Sequence, residues 1–202
     1  MQRVTRQSPL SDKQTLRKEM RAKRRNLCSQ QRIISDTAIC HQLSRLTESR
    51  PTQNLAVFSP FDGEPDIIPF CQQMIETGCK LALPVISDQR ENAMEFHVWQ
   101  ANTVVKRNRY NILEPQNSAA IPVSDFDMLL IPLVAYDRRG NRLGMGAGYY
   151  DRHLQALRDL RTPLRVGVAY GFQEVDRINP NNWDIPMHMI VNESGYFTAT
   201  NR

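Results

Sequence analysis

The chain has 202 residues, of which 41% are hydrophobic and 23% are charged, proportions typical of one globular domain with a sizeable core. No run of about 18 apolar residues occurs, so no membrane-spanning helix is predicted. The N-terminus lacks the apolar stretch of a secretory signal, and its acids Asp12 and Glu19 are unlike a mitochondrial transit peptide. The four cysteines form no Cys-x-x-Cys pair, so we expect reduced thiols in a cytoplasmic protein.

The net charge of +5 is unevenly distributed along the chain. Residues 1–25 contain nine Lys and Arg against two acids, a net charge of +7, whereas the remainder carries −2. A basic segment of this kind suits nucleic acid, an acidic surface or an anionic small ligand. A solvated helix face is the structural alternative, and charge alone leaves these interpretations open.

The N-terminal segment is predicted to form a helical extension. Residues 1–10 show no periodic apolar pattern, and we expect them to be loosely attached. A helix is predicted over residues 13–26, because apolar side chains recur four positions apart. Lys13 and Arg17 are also four apart and share one face, so both can contact the same anion.

After this extension, short apolar strands alternate with helices. The strongest strand signal is the run DMLLIPLVA, and a polar, glycine-rich loop follows it. Alternation of this kind predicts a single α/β domain over residues 11–202, with a mainly parallel sheet and helices on both faces in a Rossmann-like three-layer arrangement. The predicted strands cover residues 54–59, 80–86, 94–100 (at an edge), 127–135, 165–170 and 188–191, and the further helices cover 29–46, 65–77 and the segment from the glycine loop to about residue 161.

The glycine-rich loop is the first candidate for a functional site. In open α/β sheets, ligands bind beyond the carboxyl ends of the strands, where this loop is expected. Glycines allow a close backbone approach to an anion, and Arg142 adds a cation. The GxGxG pattern is neither a Walker A motif nor a dinucleotide fingerprint, so a structural turn and an anion site are equally supported by it. Asp151 follows the loop, where a Mg²⁺ ligand would be needed beside a phosphate.

The segment RLGMGAGYYDR, residues 142–152, closely resembles the signature loop of the 5-formyltetrahydrofolate cyclo-ligases, also called methenyltetrahydrofolate synthetases. Other segments resemble this family in the same order along the chain. They are KQTLR at residues 13–17, FSPFDGEPD at 58–66, NILEP at 111–115 and IPLVAYDRRGNRLG at 131–144.

This resemblance implies a reaction in which 5-formyltetrahydrofolate and ATP give 5,10-methenyltetrahydrofolate, ADP and phosphate. ATP would phosphorylate the formyl oxygen, and the neighbouring amine would then close the ring as phosphate departs. Such chemistry depends on positioning and charge neutralisation rather than on a nucleophilic triad.

The resemblance also assigns roles to individual residues. Glu64 would recognise the folate, and without the resemblance a solvated loop acid would be the favoured alternative. Phe58 and Tyr149 would offer apolar or stacking surface. For Phe58 plain core packing is the stronger alternative, and core packing is also the alternative for Tyr150. Arg142 and Tyr149 are the predicted catalytic residues. The predicted ATP-binding residues are Lys13, Arg17, Arg142, Leu143, Gly144, Met145, Gly146, Ala147, Gly148, Tyr149 and Tyr150.

The expected metal is Mg²⁺, with Asp151 as a ligand. Members of the family often carry a second metal-binding Asp in a D-x-P-x-D context, where this chain has His188 in the sequence WDIPMH. Either His188 or Asp184 would then participate, or Mg²⁺ would take water or substrate oxygens; a hydrogen-bonded structural role is the stronger alternative for His188. Some members also have a lysine at the position of Ala147, which makes the cations of the N-terminal helix more important.

Two other classes of function compete with this prediction. A nucleic-acid-binding protein would use residues 1–25, but it would leave the glycine-rich loop without a role. A CoA-binding or sugar-phosphate isomerase-like protein would keep the fold and bind another anion. The favoured prediction is an enzyme acting on folate and ATP, as a monomer without nucleic-acid or membrane partners.

Overall fold

A computed structural model describes residues 9–87 and 93–200. None of the helices in this part of the chain combines the length and the hydrophobicity that a membrane span requires. The helices are α1 (Pro9–Arg25), α2 (Ser29–Ser49), α3 (Ile68–Glu76) and α4 (Tyr149–Leu154). The strands are β1 (Asn54–Ala56), β2 (Lys80–Ile86), β3 (Met94–Trp99), β4 (Val105–Arg107), β5 (Leu113–Pro115), β6 (Ala120–Ile121), β7 (Met128–Pro132), β8 (Ala135–Tyr136), β9 (Arg142–Leu143), β10 (Leu164–Val168), β11 (Met189–Asn192) and β12 (Gly195–Thr198).

Eight strands form the main sheet, in the order β12-β11-β10-β7-β1-β2-β3-β6. The five central strands, β11 to β2, are parallel, while β12, β3 and β6 are antiparallel to their neighbours. Along the chain, the parallel strands leave β1 first toward β2 and then toward β7 on its other side. This change of direction is the topological switch point of a doubly wound sheet, beside which ligands bind.

Two apolar layers cover the two faces of this sheet. On one face, Ile39, Leu43 and Leu46 of α2 pack with α3 against alternate residues of the parallel strands. On the other, Leu154 of α4 and Leu157 of the following 3₁₀ turn pack against the remaining set. The central strands read as continuous apolar runs because both of their faces are buried. Helices on both faces confirm the predicted fold class.

The N-terminal helix differs from its prediction at its start. α1 begins at Pro9, whereas the sequence placed the helix from residue 13 and a loose segment over 1–10. Residues 1–8 lie outside the described part of the chain, so the prediction for them stays untested.

The end of one strand, the end of one helix and the position of β3 in the sheet also differ from the prediction. The strand predicted over 127–135 ends at Pro132, which has no N–H to continue the ladder, and the chain then enters the separate β8–β9 pair. β3 is not an edge strand, because β6 pairs with its outer side. α4 ends at Leu154 and a 3₁₀ turn continues to Leu157, so the predicted helix to residue 161 was too long.

Candidate active site

A pocket of about 610 Å³ opens beyond the carboxyl ends of β1, β2 and β7, beside the switch point. Residues that follow β1 and β7 form its floor, among them Phe58 and Leu133. Its walls come from α1, the β4–β5 hairpin, the glycine-rich loop and the turn at residues 181–184. Segments distant in sequence therefore converge at the one edge of the sheet where a ligand is expected.

At one end of the pocket, Arg142 and Asp151 form an ion pair. Arg142 lies in β9 and is 8% exposed, and its Nη2 donates a hydrogen bond of 2.6 Å to Asp151 Oδ1. The same oxygen accepts the backbone N–H of Ile185 at 3.0 Å. The buried Nε of Arg142 has no hydrogen-bond partner among the described residues. A buried donor of this kind normally has an acceptor, so its position in the pocket suits an anionic ligand.

The glycine-rich loop runs from this ion pair to the start of α4. Gly146 and Gly148 have φ values of +108° and +70°, and side chains of L-residues rarely adopt such values. Residues 145–147 are exposed, which leaves the loop backbone open to a ligand. The glycines are therefore required both by the turn and by the open backbone.

α1 brings two further cations to this end of the pocket. Arg17 Nε donates a hydrogen bond to the carbonyl oxygen of Gly144 at 2.9 Å, and Lys13 Nζ lies 3.5 Å from Asp184 Oδ2. The predicted face that Lys13 and Arg17 share on the helix is thus turned to the pocket, with Arg17 at the glycine-rich loop and Lys13 at Asp184.

The basic charge of α1 has a second, structural use. Asp62 follows β1, and its carboxylate accepts hydrogen bonds from Arg21 at 2.7 Å, Arg24 at 3.0 Å and Arg25 at 2.5 Å. Burial raises the pKa of Asp62, but the hydrogen bonds from Arg21 and Arg25 more than offset this effect and leave the pKa below its usual range. The helix is fixed to the loop after β1 through this carboxylate.

Glu64 also lines the pocket, beside Arg24, which lies two helical turns along α1 from Arg17, and it is 9% exposed. Its Oε2 accepts the backbone N–H of Phe61 at 3.1 Å, and its Oε1 lies 3.8 Å from Arg24 Nη1. Burial raises the pKa of Glu64 to about 7, against the opposing influence of Arg24. A buried acid that titrates near neutral pH in a cleft is typical of a functional site.

Aromatic side chains also line the pocket. Tyr149 OH lies 3.3 Å from Tyr110 OH and accepts a hydrogen bond from Arg109 Nη2 at 3.2 Å. The Tyr110 and Tyr149 rings meet edge to face, with centroids 6.5 Å apart. Burial and the nearby charge of Glu64 raise the pKa of Tyr150, so its hydroxyl stays protonated.

The comparison with known proteins matches this architecture. The model of the 5-formyltetrahydrofolate cyclo-ligase family matches residues 9–193. This chain belongs to that family. Its relatives include the 5-formyltetrahydrofolate cyclo-ligases of Haemophilus influenzae, 33% identical over 89% of this chain and 96% of that protein, and of Escherichia coli K12, 37% identical over 69% and 78%.

Solved structures support the same conclusion. The 5,10-methenyltetrahydrofolate synthetase of Aquifex aeolicus superposes with a TM-score of 0.81, at 30% identity and 94% coverage of both chains. The corresponding protein of Mycoplasma pneumoniae gives a TM-score of 0.73, at 26% identity over 90% of this chain and 99% of the other. The predictions of family, ligase class and α/β fold are confirmed.

In this cyclo-ligase, one pocket gathers nearly all of the predicted site residues. Phe58 belongs to the pocket floor and to the core at once, at 2% exposure. The roles of the gathered residues remain predictions. They are Lys13, Arg17, Phe58, Glu64, Arg142, Leu143, Gly144, Met145, Gly146, Ala147, Gly148, Tyr149, Tyr150 and Asp151.

His188 is the exception, and the structure does not support its suggested metal role. It does not line the pocket, and both of its ring nitrogens lie against Arg165, at 3.1 Å from the backbone nitrogen and 2.7 Å from Nη2. Burial and the charges of Arg165 and Arg161 lower the pKa of His188 to about 4. The positive charge of the Arg165 guanidinium beside the ring disfavours binding of a metal cation to His188. Asp184, the alternative ligand considered for the cyclo-ligase, does line the pocket.

Tyr110 and Trp183 line the pocket but carried too little sequence signal to be assigned a role, whereas Glu114 was expected to cap or brace its loop. Tyr110 comes from the hairpin between β4 and β5, two strands too short and polar to be predicted. Glu114 accepts hydrogen bonds from the backbone N–H of Ile86 at 2.9 Å and from Asn108 Nδ2 at 2.7 Å, so it braces this hairpin. Trp183 is 59% exposed although it is a large apolar residue, a signal visible only in the folded structure.

Proposed function

We propose that this chain catalyses the ATP- and Mg²⁺-dependent conversion of 5-formyltetrahydrofolate to 5,10-methenyltetrahydrofolate, with release of ADP and phosphate. The observation that carries the proposal is the division of one pocket into two chemically different ends. One end contains cations and a glycine-rich backbone, and the other contains the buried Glu64. The names of the relatives and the structural neighbours agree with it.

The first end has the features that a nucleoside triphosphate requires. Lys13, Arg17 and Arg142 supply positive charge, and the segment 144–149 supplies backbone N–H groups that glycines leave accessible. The unpartnered Nε of Arg142 would donate to a phosphate oxygen. Arg17 also fixes the loop backbone through Gly144, so ATP binding and loop position are linked.

The second end fits a pterin ring. An ionised carboxylate accepts two N–H donors side by side, which is the pattern at the edge of a pterin. Glu64 would take this role, with Phe58 beneath the ring and Tyr149 beside it. Since the raised pKa of Glu64 is near 7, substrate binding would be sensitive to pH around neutrality.

In the reaction, the formyl oxygen forms a bond to the γ-phosphorus of ATP as the bond to ADP breaks. The neighbouring amine nitrogen then attacks the activated formyl carbon and loses its proton, and the carbon–oxygen bond breaks to release phosphate. Arg142 would neutralise charge on the transferred phosphoryl group, and the Tyr149 hydroxyl would hold the formyl end of the folate in line with it. Positioning and charge are the main contributions of the protein to phosphoryl transfer.

The residues present also suit Mg²⁺. Asp151 and Asp184 both line the pocket. The backbone N–H of Ile185, the residue after Asp184, donates a hydrogen bond to Asp151. One or two carboxylates together with substrate phosphates are a usual ligand set for Mg²⁺, which would neutralise phosphate charge when bound. No group of three or more His, Cys, Asp or Glu side chains suited to a metal occurs among residues 9–87 and 93–200, so substrate oxygens would have to complete the set.

The proposal is tested by turnover of the purified chain. We expect methenyltetrahydrofolate absorbance to appear from 5-formyltetrahydrofolate only when ATP and Mg²⁺ are both present, with ADP formed in equal amount. Omission of each component in turn is the control. No product from folded protein with both components present would contradict the proposal. We also propose that the enzyme is a cytoplasmic monomer, which sedimentation and cell fractionation would check.

A further inference from the structure

Arg24 of α1 is a completely buried arginine that no motif of the sequence singled out. Its side chain is 0% exposed. Nε donates to the carbonyl oxygen of Asp62 at 3.0 Å, Nη2 donates to Asp62 Oδ2 at 3.0 Å, and Nη1 donates to the carbonyl oxygen of Leu133 at 3.1 Å. Because burial of a charged group is costly unless it is paired and hydrogen-bonded, so many contacts indicate a specific task.

These contacts join the two segments that form the pocket floor. Asp62 belongs to the loop after β1, and Leu133 directly follows β7, on the other side of the switch point. The main chain of Arg24 adds to the same junction, because its carbonyl oxygen accepts Arg32 Nη2 at 2.5 Å, and Arg32 also donates to the carbonyl oxygen of Gly63 at 3.1 Å. The two loop residues that precede Glu64 are thereby held to α1 and α2.

The guanidinium of Arg24 also faces Glu64 directly. Arg24 Nη1 lies 3.8 Å from Glu64 Oε1. The other charged or titratable groups that act on Glu64 are Asp62, which opposes its ionisation, Arg21, which favours it, and Tyr150, whose hydroxyl stays protonated. Among them Arg24 is the largest influence toward the carboxylate form.

We propose that Arg24 is a positioning residue for folate binding, which fixes the loop that carries Glu64 and keeps Glu64 as the acceptor of the pterin N–H groups. The inference rests on the proposed function of Glu64. It gives α1 a role at both ends of the pocket, since Lys13 and Arg17 face the glycine-rich loop and Arg24, two and three helical turns further on, faces Glu64.

The neighbouring Arg25 provides a matched control. Arg25 bonds to the same carboxylate, Asp62, through its Nε, but its side chain is 55% exposed and neither Glu64 nor Leu133 is among its partners. Substitution of Arg25 therefore removes one positive charge from α1 and one bond to Asp62, but no direct contact of Glu64.

The first experiment compares Arg24→Gln, Arg24→Lys and Arg25→Gln by their dependence on pH, with circular dichroism to confirm folding. For Arg24→Gln we expect KM for 5-formyltetrahydrofolate to rise about fivefold at pH 7, because a one-unit rise of the Glu64 pKa from about 7 lowers its ionised fraction by that factor. KM for ATP should change less than about threefold. The acid limb of kcat/KM for the folate should move to higher pH. Arg24→Lys keeps the charge and should shift the acid limb less, and Arg25→Gln should leave it in place.

The second experiment is a double-mutant cycle with Glu64→Gln, read by calorimetric binding of 5-formyltetrahydrofolate. If Arg24 acts through Glu64, substitution of Arg24 in the Glu64→Gln background should change the folate dissociation constant less than about twofold. If Arg24→Gln does not fold, the cycle is run with Arg24→Lys. Additive losses, or an unchanged acid limb in folded Arg24→Gln, would overturn the inference. A wild-type protein that fails to bind the folate would overturn the proposed function and this inference with it.

Discussion

At the scale of single residues, Glu64 shows how a buried group links function to stability. Burial raises its pKa to about 7 from an ordinary value of 4.5. The native state therefore binds a proton more readily than the unfolded chain between these pH values. The stabilising effect of that proton is complete below pH 4.5 and is lost as the pH rises through 7. A site that needs the carboxylate form thus lowers stability at neutral and alkaline pH.

The substitution Glu64→Gln should reveal this cost. Glutamine keeps an oxygen for the Phe61 N–H but cannot ionise, so the variant lacks the loss of stability that wild type shows as the pH rises from 4.5 through 7. We expect the difference in Tm between Glu64→Gln and wild type to increase by several degrees from pH 5 to pH 8.5. This increase corresponds to a free energy on the order of 3 kcal/mol. Folate affinity should fall at the same time. Parallel Tm curves of the two proteins would show that Glu64 is not destabilised by ionisation.

Asp151 and His188 are expected to differ in their importance for catalysis. Asp151 is the ion-pair partner of the buried Arg142 and lines the pocket. Both ring nitrogens of His188, in contrast, contact Arg165. We expect Asp151→Ala to lower kcat by about 100-fold or more, as removal of an electrostatic contact in a transition state does. His188→Ala should keep kcat within about threefold and lower the Tm, because Arg165 loses a partner.

Measurements of kcat against Mg²⁺ concentration, with thermal melts of both variants, check this prediction. A loss of activity in His188→Ala at unchanged Tm, with a higher Mg²⁺ requirement, would restore His188 as a metal ligand. The pKa of His188 near 4 adds a second readout. In the unfolded chain His188 binds a proton near pH 6.5, whereas in the native state it binds one only near pH 4. Wild type should therefore lose stability as the pH falls from 6.5 to 4, and His188→Ala should lose less.

At the scale of elements, α1 shows why a basic segment need not bind nucleic acid. Three of its arginines converge on Asp62, and Lys13 and Arg17 face the pocket. The face that would meet a nucleic acid backbone is instead directed to the protein itself and to the proposed triphosphate. Charge composition could not distinguish these uses, because Asp62 is 37 or more residues away in sequence from each arginine that it binds.

The substitution Asp62→Asn should loosen α1. Three guanidinium groups lose their shared carboxylate, one of them fully buried, so we expect a loss of about 1–3 kcal/mol in stability. Trypsin should cleave within α1 faster than in wild type, and ATP with Mg²⁺ should slow the cleavage through Lys13 and Arg17. Glu174→Gln, which breaks an exposed pair with Arg138, is the control and should have little effect. Equal cleavage rates in all proteins would show that Asp62 does not hold the helix.

At the scale of the whole molecule, the pocket is a consequence of sheet topology. The chain leaves β1 in two directions, toward β2 and toward β7, and the connections diverge above the carboxyl ends of these strands. The helix at the N-terminus, the β4–β5 hairpin and the glycine-rich loop close the resulting crevice on its sides. A ligand in this crevice contacts segments from most of the chain length.

Ligand binding should therefore stabilise the molecule as a whole. We expect ATP with Mg²⁺, at about 100 times its dissociation constant, to stabilise the fold by roughly 2.7 kcal/mol, detected as a rise in Tm. CoA and sugar phosphates at the same concentrations are the matched comparison and should give no comparable shift. A larger shift with either of them would favour the alternative anion-binding function.

The sequence determined the class of fold and identified the residues of the glycine-rich loop, because both depend on local patterns. Apolar runs between helical segments predicted a parallel sheet, and the spacing of Lys13 and Arg17 predicted their common face. Tertiary structure alone decided where α1 docks, that Arg24 is buried beside Glu64, and that Asp184 rather than His188 lines the pocket with Asp151. The physical reason is that these outcomes depend on burial and on charge pairs between distant segments, which only the folded chain brings together.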